Sequence, residues 1–369
     1  MRVLSAPIVN DSPNPESGNR GLRGNMNESA CISDLLHYEL DRHQWLLDNN
    51  GSLNGFTTQH GSLLQEQVAD AQELKAHQII PGSINALVLN NENRLALGQV
   101  LNTYTPEFVT VSACDVDVAR AFVGRLFATP LPDVQVIRVP ANVMQPSALG
   151  TVYSNGMCRH LIVVPEQSFD PIGVLVRQFA IAAHYTLMRG KPGLASMMSD
   201  DLTQAIVGQY AVLRFAMQNP DKCSVMRHLQ LMVSWEFAKG LIKTPEMPMG
   251  FIASELGEQL MLAYGTGMFR AIVQDLYESA INGRAIWFGS INFTGAALAL
   301  FVGNDDQGMS SLMSNDRGDR KLGEKLKAAF GGSDAPDWFD RVQEVFNRNL
   351  ASLTEAAITE GADSDLAEA

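Results

Sequence analysis

The chain is poor in cysteine, in positive charge and in long apolar runs. Only four cysteines occur in 369 residues, and no two of them form a C-x-x-C pair. Cys31, Cys114, Cys158 and Cys223 are too widely spaced for a cysteine-based zinc site, and a disulfide framework is disfavoured in a chain of this length. The composition therefore predicts reduced, mostly buried thiols in a cytoplasmic protein.

Positive charge is the second deficit. The sequence has 27 Lys and Arg residues against 40 Asp and Glu residues, which gives a net charge of −13. An acidic protein repels phosphate backbones, and the densest basic stretch, residues 317–321, is interrupted by Gly318 and Asp319. Direct binding to nucleic acid is therefore not expected.

The longest apolar stretch, residues 285–302, contains three polar side chains and two glycines. A membrane span needs about 20 mainly apolar residues, so this stretch predicts a buried helix instead. The few apolar residues before Pro7 are too short for a secretory signal. The sequence gives no reason to expect a membrane partner.

The chain contains enough apolar residues to form a sizeable hydrophobic core, because 46% of its residues are hydrophobic and 18% are charged. The order of patterns predicts an α+β fold with a small α/β unit followed by a large, mostly helical domain. The predicted boundaries are a flexible N-terminal extension with one or two amphipathic helices over 1–80, the α/β unit over 81–165, the helical domain over 166–360 and an acidic tail over 361–369.

Within the α/β unit, short β-branched runs alternate with helical patterns. Strands are predicted at 84–89, 108–111 and 134–139, and helices at 93–102 and 116–128. A hairpin over 151–164 is predicted to turn at Asn155-Gly156, since this dipeptide favours two-residue turns. The strand-to-helix turns contain no glycine, so they lack the phosphate-binding loops of nucleotide sites, and no cofactor is predicted.

The second half reads as helices separated by polar or glycine-containing breaks. Helices are predicted near 171–189, 200–218, 221–242, 251–263, 266–282, 286–302, 319–330 and 336–359. The final residues, 361–369, are predicted to be frayed.

One region has the outline of a known active site. The apolar strand Arg159–Pro165 precedes a helix that carries His184, and a second helix begins near Asp200 and Asp201. This region resembles that of the helical zinc metallopeptidases of the oligopeptidase type. In those enzymes the first helix carries H-E-x-x-H, because two histidines at i and i+4 share one face, and the second helix supplies an acidic ligand.

The resemblance implies that the metal-binding motif has been lost. With His184 as the second histidine, the first position is Ala180 and the general-base position is Ile181. The acidic ligand could be Asp200 or Asp201, whereas Gln209 lies nearer the family spacing. The resemblance thus implies a degenerate relative, and no catalytic, cofactor-binding or metal-binding residue is predicted.

Each residue in this region also has a structural interpretation. A lone histidine on an Ala- and Val-rich helix is typical of a core position with one hydrogen-bonded nitrogen. Asp200 and Asp201 suit the first turn of a helix, where they cap it and interact with its dipole.

Two carboxylates on a later predicted helix are further candidates for a site. Glu255 and Glu258 share a helix face with Gln259 and Leu262, which is typical of a solvated surface more often than of a carboxylate pair in catalysis. If a metal or active site does exist, its first suspects are His184, Asp201, Glu255 and Glu258. Met197-Met198 and Met247–Met249 fall in predicted loops, where exposed methionines favour a protein contact.

Three functions stay open at this point. The leading hypothesis is a non-catalytic structural or protein-interaction protein that self-assembles or belongs to a larger assembly, with protein as its partner. The second is a degenerate zinc-peptidase-like protein that binds peptides without cleaving them. The third is an enzyme whose active site is gathered from distant residues.

Overall fold

A computed structural model of the chain describes residues 28–56, 58–60, 88–102, 107–243, 249–281, 286–330 and 342–367. The predicted second helix of the N-terminal extension, over 63–78, and most of the first predicted strand, over 84–89, lie outside these ranges. Helices dominate the described part and strands form two small sheets, which confirms the α+β fold.

The elements are numbered in chain order. The strands are β1 (Val109–Thr110), β2 (Gln135–Val139), β3 (Thr151–Asn155), β4 (Arg159–Pro165) and β5 (Gln167–Ser168). The first helices are α1 (Glu28–Asp48), α2 (Asn91–Asn102), α3 (Ala113–Leu126), α4 (Pro171–Arg189), α5 (Asp201–Gln218) and α6 (Met226–Lys243), with a 3₁₀ turn at Leu194–Met197. The remaining helices are α7 (Met249–Ile252), α8 (Glu255–Tyr264), α9 (Thr266–Ile281), α10 (Ile286–Val302), α11 (Asp306–Asn315), α12 (Leu322–Phe330) and α13 (Val342–Ala367).

The larger sheet has the strand order β2-β4-β3, with β2 parallel and β3 antiparallel to β4. The predicted strand at 108–111 does not join it; β1 pairs with β5 in a separate two-stranded sheet. The expectation of one strand–helix–strand–helix–strand unit is therefore wrong in its pairing. Spacing along the chain identifies a strand, but its partner is decided by which strand the packing brings beside it.

The β3–β4 hairpin is confirmed, but its turn is not the predicted two-residue one. Asn155 pairs with Arg159, so residues 156–158 form a three-residue loop, and Gly156 adopts a φ of +72°. The backbone of Gly156 donates to Glu39 Oε2 at 3.2 Å and accepts from Arg189 Nη1 at 2.7 Å. The three-residue loop between β3 and β4 is therefore held by contacts with Glu39 and Arg189, which lie far from it in the sequence.

The N-terminal helix α1 packs on its own chain. Glu39 and Arg189 form a two-pronged ion pair, with Nη1 to Oε2 at 2.8 Å and Nη2 to Oε1 at 2.6 Å, and both residues are buried. Bidentate pairs of this kind fix geometry as well as adding energy. Helix α1 therefore docks in cis against β3 and the 3₁₀ turn.

The helical half is built around α10, which packs against α5 and α6, while α4 also packs against α5. A Cβ on Gly295 would lie 2.6 Å from the Cβ of Ala205, so the missing side chain lets α10 approach α5 closely. The apolar stretch at 286–302 is confirmed as a helix, and its residues 294–301 are buried. None of the helices in the described ranges is long and apolar enough to cross a membrane.

Three local predictions need correction. The predicted helix at 251–263 is split, because the Ser254 hydroxyl accepts from the Gly257 amide and starts α8 anew. Helix α11 was not predicted, because its serines, glycine and asparagine are weak helix formers and only its buried Met309, Leu312 and Met313 mark a core face. Helix α13 continues to Ala367, through most of the segment expected to fray.

The thiols are less enclosed than the sequence predicts. Among the described cysteines, Cys223 is buried, whereas Cys114 and Cys158 are exposed. Both exposed thiols lie at element ends, on the first turn of α3 and in the β3–β4 loop, where packing is thin. The prediction of mostly buried cysteines is therefore wrong.

The crossing of α2 and α8 gives a first testable prediction. A Cβ on Gly98 would overlap the carbonyl oxygen of Ala263, so Gly98→Ala must push the helices apart. We expect this change to lower the free energy of unfolding by about 1–3 kcal/mol, measured by urea denaturation. The control is Gly267→Ala in α9, where a Cβ meets nothing within 4 Å; it should be neutral or stabilising by up to about 1 kcal/mol. Equal effects of both changes would show that the crossing tolerates a methyl group.

A buried ionic cluster at the candidate functional site

His184 lies in the core on α4, with 0% of its surface exposed. Its Nε2 is 2.9 Å from Oδ2 of Asp316, the residue that follows α11. Within the described part of the chain neither Nδ1 nor Nε2 meets the geometry of a hydrogen bond, so the contact of Nε2 with Asp316 is an ion-pair contact. The core position of His184 is therefore confirmed, whereas the expected hydrogen bond from one ring nitrogen is not seen among the described residues.

Lys325 on α12 connects two carboxylates. Its Nζ lies 2.5 Å from Asp316 Oδ1 and 2.6 Å from Asp200 Oδ2. The Ser199 hydroxyl donates to Asp316 Oδ2 at 2.7 Å. We refer to His184, Ser199, Asp200, Asp316 and Lys325 as the Lys325 cluster; all five are buried.

Asp200 has a second role as the cap of α5. Its Oδ1 accepts from the Thr203 amide at 2.6 Å and its Oδ2 accepts from the Thr203 hydroxyl at 2.6 Å. The capping interpretation of Asp200 is confirmed, and Asp201 occupies the first turn with an exposed side chain. One carboxylate thus both starts a helix and binds the buried ammonium group.

The electrostatics keep the central pair ionised. Burial raises the pKa of Asp316, but the neighbouring His184 and Lys325 outweigh burial and leave that pKa below its ordinary value. Burial lowers the pKa of Lys325, but Asp316 and Asp200 outweigh it and leave that pKa above its ordinary value. Each charge therefore stabilises the other in the low-dielectric interior.

The geometry of the cluster suits packing better than catalysis. Ser199 donates to Asp316 and not to His184, so the imidazole does not activate the hydroxyl as a general base. Every member of the cluster is at most 7% exposed, which leaves a substrate no way to reach Ser199 or His184. The cluster instead holds α4, α5 and α12 and the end of α11 together.

The other suspected site residues are not gathered around His184. Glu255 and Glu258 lie exposed on α8, and Asp201 lies exposed at the start of α5. Over the described ranges, no group of three or more His, Cys, Asp or Glu side chains is placed to hold a metal ion. The cluster that does form includes Asp316 and Lys325, which the sequence did not single out.

A partial signal for Lys325 exists in the sequence. It stands between Leu322 and Leu326 on the apolar face of α12, and both leucines are buried. A lysine on the buried face of an amphipathic helix needs a carboxylate partner. Asp316 has no comparable signal, because it follows a helix whose own pattern is weak.

The positions that the zinc-peptidase resemblance assigns to the metal do not fit one. Ala180 and Ile181 are buried apolar residues with no donor atoms for a cation, and Gln209 is a buried amide. His184 is held beside Asp316 and Lys325, and the ammonium group would repel a second cation. These positions therefore supply no ligand set for zinc.

No family model matches the chain, and neither a curated protein nor a solved structure is significantly similar to it. The resemblance to zinc peptidases consequently stays a prediction.

Proposed function

We propose that this chain is a non-catalytic protein-interaction protein, and that it binds a partner through the outer face of α8. The described residues support this, because the Lys325 cluster is enclosed in the core and Asp201, Glu255 and Glu258 lie exposed on the surface. The surface is therefore where a function is sought, and one exposed helix face combines acidic residues with a leucine.

The α8 face consists of Glu255, Glu258, Gln259 and Leu262, at positions i, i+3, i+4 and i+7 of one helix. All four side chains are exposed, and Leu262 is 83% exposed. A leucine in water next to carboxylates contributes nothing to the core, whereas in a complex it can fill a partner's pocket. This exposed leucine on an acidic face is the observation that carries the proposal.

Two further apolar side chains lie in the elements that contact α8. Met249 at the start of α7 is 69% exposed, and Leu95 on α2 is 54% exposed. Exposure of Met249 agrees with the predicted protein contact at 247–249, although Met247 lies outside the described ranges. Met197 and Met198 are each 7% exposed, so their predicted role in a protein contact is wrong; they pack inside the chain.

The charge around Leu262 selects the kind of partner. Two copies meeting through the α8 face would bring the Glu255 and Glu258 carboxylates of both chains together. That repulsion disfavours a self-complementary dimer at this face, particularly in a chain with a net charge of −13. The face fits a segment that presents an apolar side chain flanked by lysine or arginine.

A defined peptide tests this proposal. A fluorescently labelled amphipathic helical peptide of Leu and Lys should bind, followed by fluorescence anisotropy, whereas the matching Leu and Glu peptide should not. We expect Leu262→Asp to weaken binding about tenfold or more, since it removes the anchor and adds a like charge near the acidic rim.

Non-specific attraction to an acidic protein is controlled by matched charge reversals. Glu255→Lys/Glu258→Lys should abolish peptide binding. Asp133→Lys/Asp221→Lys changes the net charge by the same amount at exposed positions elsewhere, and this variant should keep most of the peptide binding. Equal loss in both variants would reject the α8 face. Peptide hydrolysis, or stoichiometric zinc that is lost in His184→Ala, would overturn the non-catalytic assignment. A dimer seen by light scattering that Leu262→Asp abolishes would identify a second copy as the occupant.

A further inference from the structure

Arg177 lies on α4 where this helix faces α5 and α10. It is 9% exposed, and its Nη2 donates to Asn292 Oδ1 of α10 at 2.8 Å. Its stem runs over Gly208 of α5, where a Cβ would lie 2.8 Å from Arg177 Cγ. The absence of a side chain at Gly208 is thus what makes room for the arginine.

Arg177 differs from the other buried arginines of the described ranges, because none of the described carboxylates pairs with it. Arg94 pairs with Glu236 and Arg189 pairs with Glu39, each within 2.7 Å. Arg177 forms no ion pair with any residue in the described ranges, and its Nε is enclosed without a hydrogen-bond partner. Its single neutral partner accounts for one of five N–H donors.

The charge of Arg177 cannot be relieved by deprotonation at neutral pH. Burial lowers the pKa of Arg177 to about 10, and no anion among the residues that the structure describes counteracts this. A buried cation with an amide as its only partner is costly, because water no longer solvates it and no opposite charge replaces water. An arrangement of this kind is complete only when an anion joins it.

We propose that Arg177 is a binding site for the carboxylate of a ligand, with Asn292 fixing the orientation of the guanidinium group. The planar fork of a guanidinium matches the two oxygens of a carboxylate, and one negative charge balances one cation. A phosphate dianion would leave an excess negative charge in the interior. The site is separate from the α8 face and does not depend on the interaction proposed there.

The surroundings limit the ligand to a narrow acid. Helix α5 approaches α4 at Gly208 and α10 at Gly295, so the backbone leaves no space for a bulky group beside the guanidinium. Nε is enclosed, whereas Nη1 has no hydrogen bond in the described part of the chain and is not enclosed, so the ligand reaches the guanidinium at its terminal nitrogens. The class that fits is a small carboxylic acid or the free C-terminus of a peptide.

Thermal unfolding with defined anions tests the site. Sodium acetate should raise the Tm of the wild-type chain by a few degrees relative to sodium chloride at equal ionic strength. Acetyl-trialanine with a free C-terminus serves as the peptide arm, and its amide serves as that arm's control. A shift with both acids identifies any small carboxylate, and a shift with the peptide acid alone identifies a chain terminus.

Arg177→Met should lose the carboxylate-dependent shift while keeping its fold, since an apolar chain replaces an unpaired buried cation. Arg177→Lys keeps the charge without the fork and should retain only a reduced shift. Arg125→Met removes the same charge from an exposed position of α3 and should behave as wild type. Two results with the acids would overturn the proposal: an equal Tm shift in wild type and Arg177→Met, or no Tm shift in wild type with either acid. It would also be overturned if the peptide amide shifted the Tm as much as the peptide acid, or if phosphate shifted it more than acetate.

Discussion

Replacing Lys325 by methionine is expected to lower the free energy of unfolding by about 3–5 kcal/mol. The change removes the ammonium group that lies between Asp200 and Asp316, both of which are at most 5% exposed. Two carboxylates are then left in the interior without their cation, and the penalty of burying them is no longer offset. Urea denaturation at pH 7, followed by circular dichroism, measures the loss.

A surface pair provides the control for Lys325. Asp319→Asn weakens the pair of Asp319 with Arg317, whose side chains are both more than one-third exposed, at 41% and 35%. Exposed pairs contribute about 0–1 kcal/mol, so this variant should unfold almost as wild type does. The double-mutant cycle of Lys325→Met with Asp316→Asn should show a coupling of at least about 1 kcal/mol. A Lys325→Met protein as stable as wild type would mean that the cluster does not hold the helices together.

The free energy of unfolding is expected to fall as the pH is lowered from about 6.5 towards 4, because two buried histidines resist protonation. Burial, with a smaller contribution from Arg189, lowers the pKa of His160 to about 3. Burial lowers the pKa of His228 to about 4, although the backbone at Ala296 acts in the opposite direction. In the unfolded chain both side chains bind a proton near pH 6.5, whereas in the folded chain they stay neutral.

The sign follows from proton linkage. Below pH 6.5 the unfolded state binds more protons than the folded state, so acid favours unfolding by up to about 1.4 kcal/mol per pH unit for each histidine. The loss of unfolding free energy that comes from His228 ends near pH 4, and the loss that comes from His160 ends near pH 3, because the folded state then binds the proton as well. Burial raises the pKa values of Asp170 and Glu236, and these carboxyls offset part of the loss at the acidic end.

A histidine variant isolates the effect. Between pH 7 and pH 5, His228→Leu should lose about 2 kcal/mol less free energy of unfolding than wild type does, because leucine cannot take up a proton. His37→Leu, at an exposed position of α1, is the matched control and should keep the pH dependence of the wild type. Parallel stability curves for wild type and His228→Leu would contradict the assignment.

Much of the helical framework could be predicted from local pattern. Helices α4, α5 and α10 were predicted within one residue of their observed ends, because each has a strong apolar period or run, and α4 and α5 each follow a capping aspartate. The α+β class follows from the same patterns. Helix α11 escaped prediction because its helical state depends on burial of a few methionines and a leucine against other helices, not on its own propensity.

The candidate site was only half predictable. The sequence drew attention to His184 and Asp200, but it could not show that a carboxylate and an ammonium group more than one hundred residues away lie beside them. It also gave no sign that Arg177 lacks a counter-ion, since a missing partner becomes visible only when all neighbours are known. Nor could it separate the exposed Leu262 from the buried Leu260 beyond their places on a helical wheel.

The sequence by itself determined the helices with strong periodicity, the capping of α5, the acidic net charge and the lack of a metal-binding motif on α4. These depend on neighbours a few residues apart, where spacing alone sets which side chains share a face. Only the tertiary structure decided the strand partners, the docking of α1 through Glu39 and Arg189, and the ionic cluster around Lys325. Those features depend on contacts between segments that are distant in the sequence. The ion pairs among them depend on burying opposite charges side by side, and no local sequence pattern shows which charges are buried together.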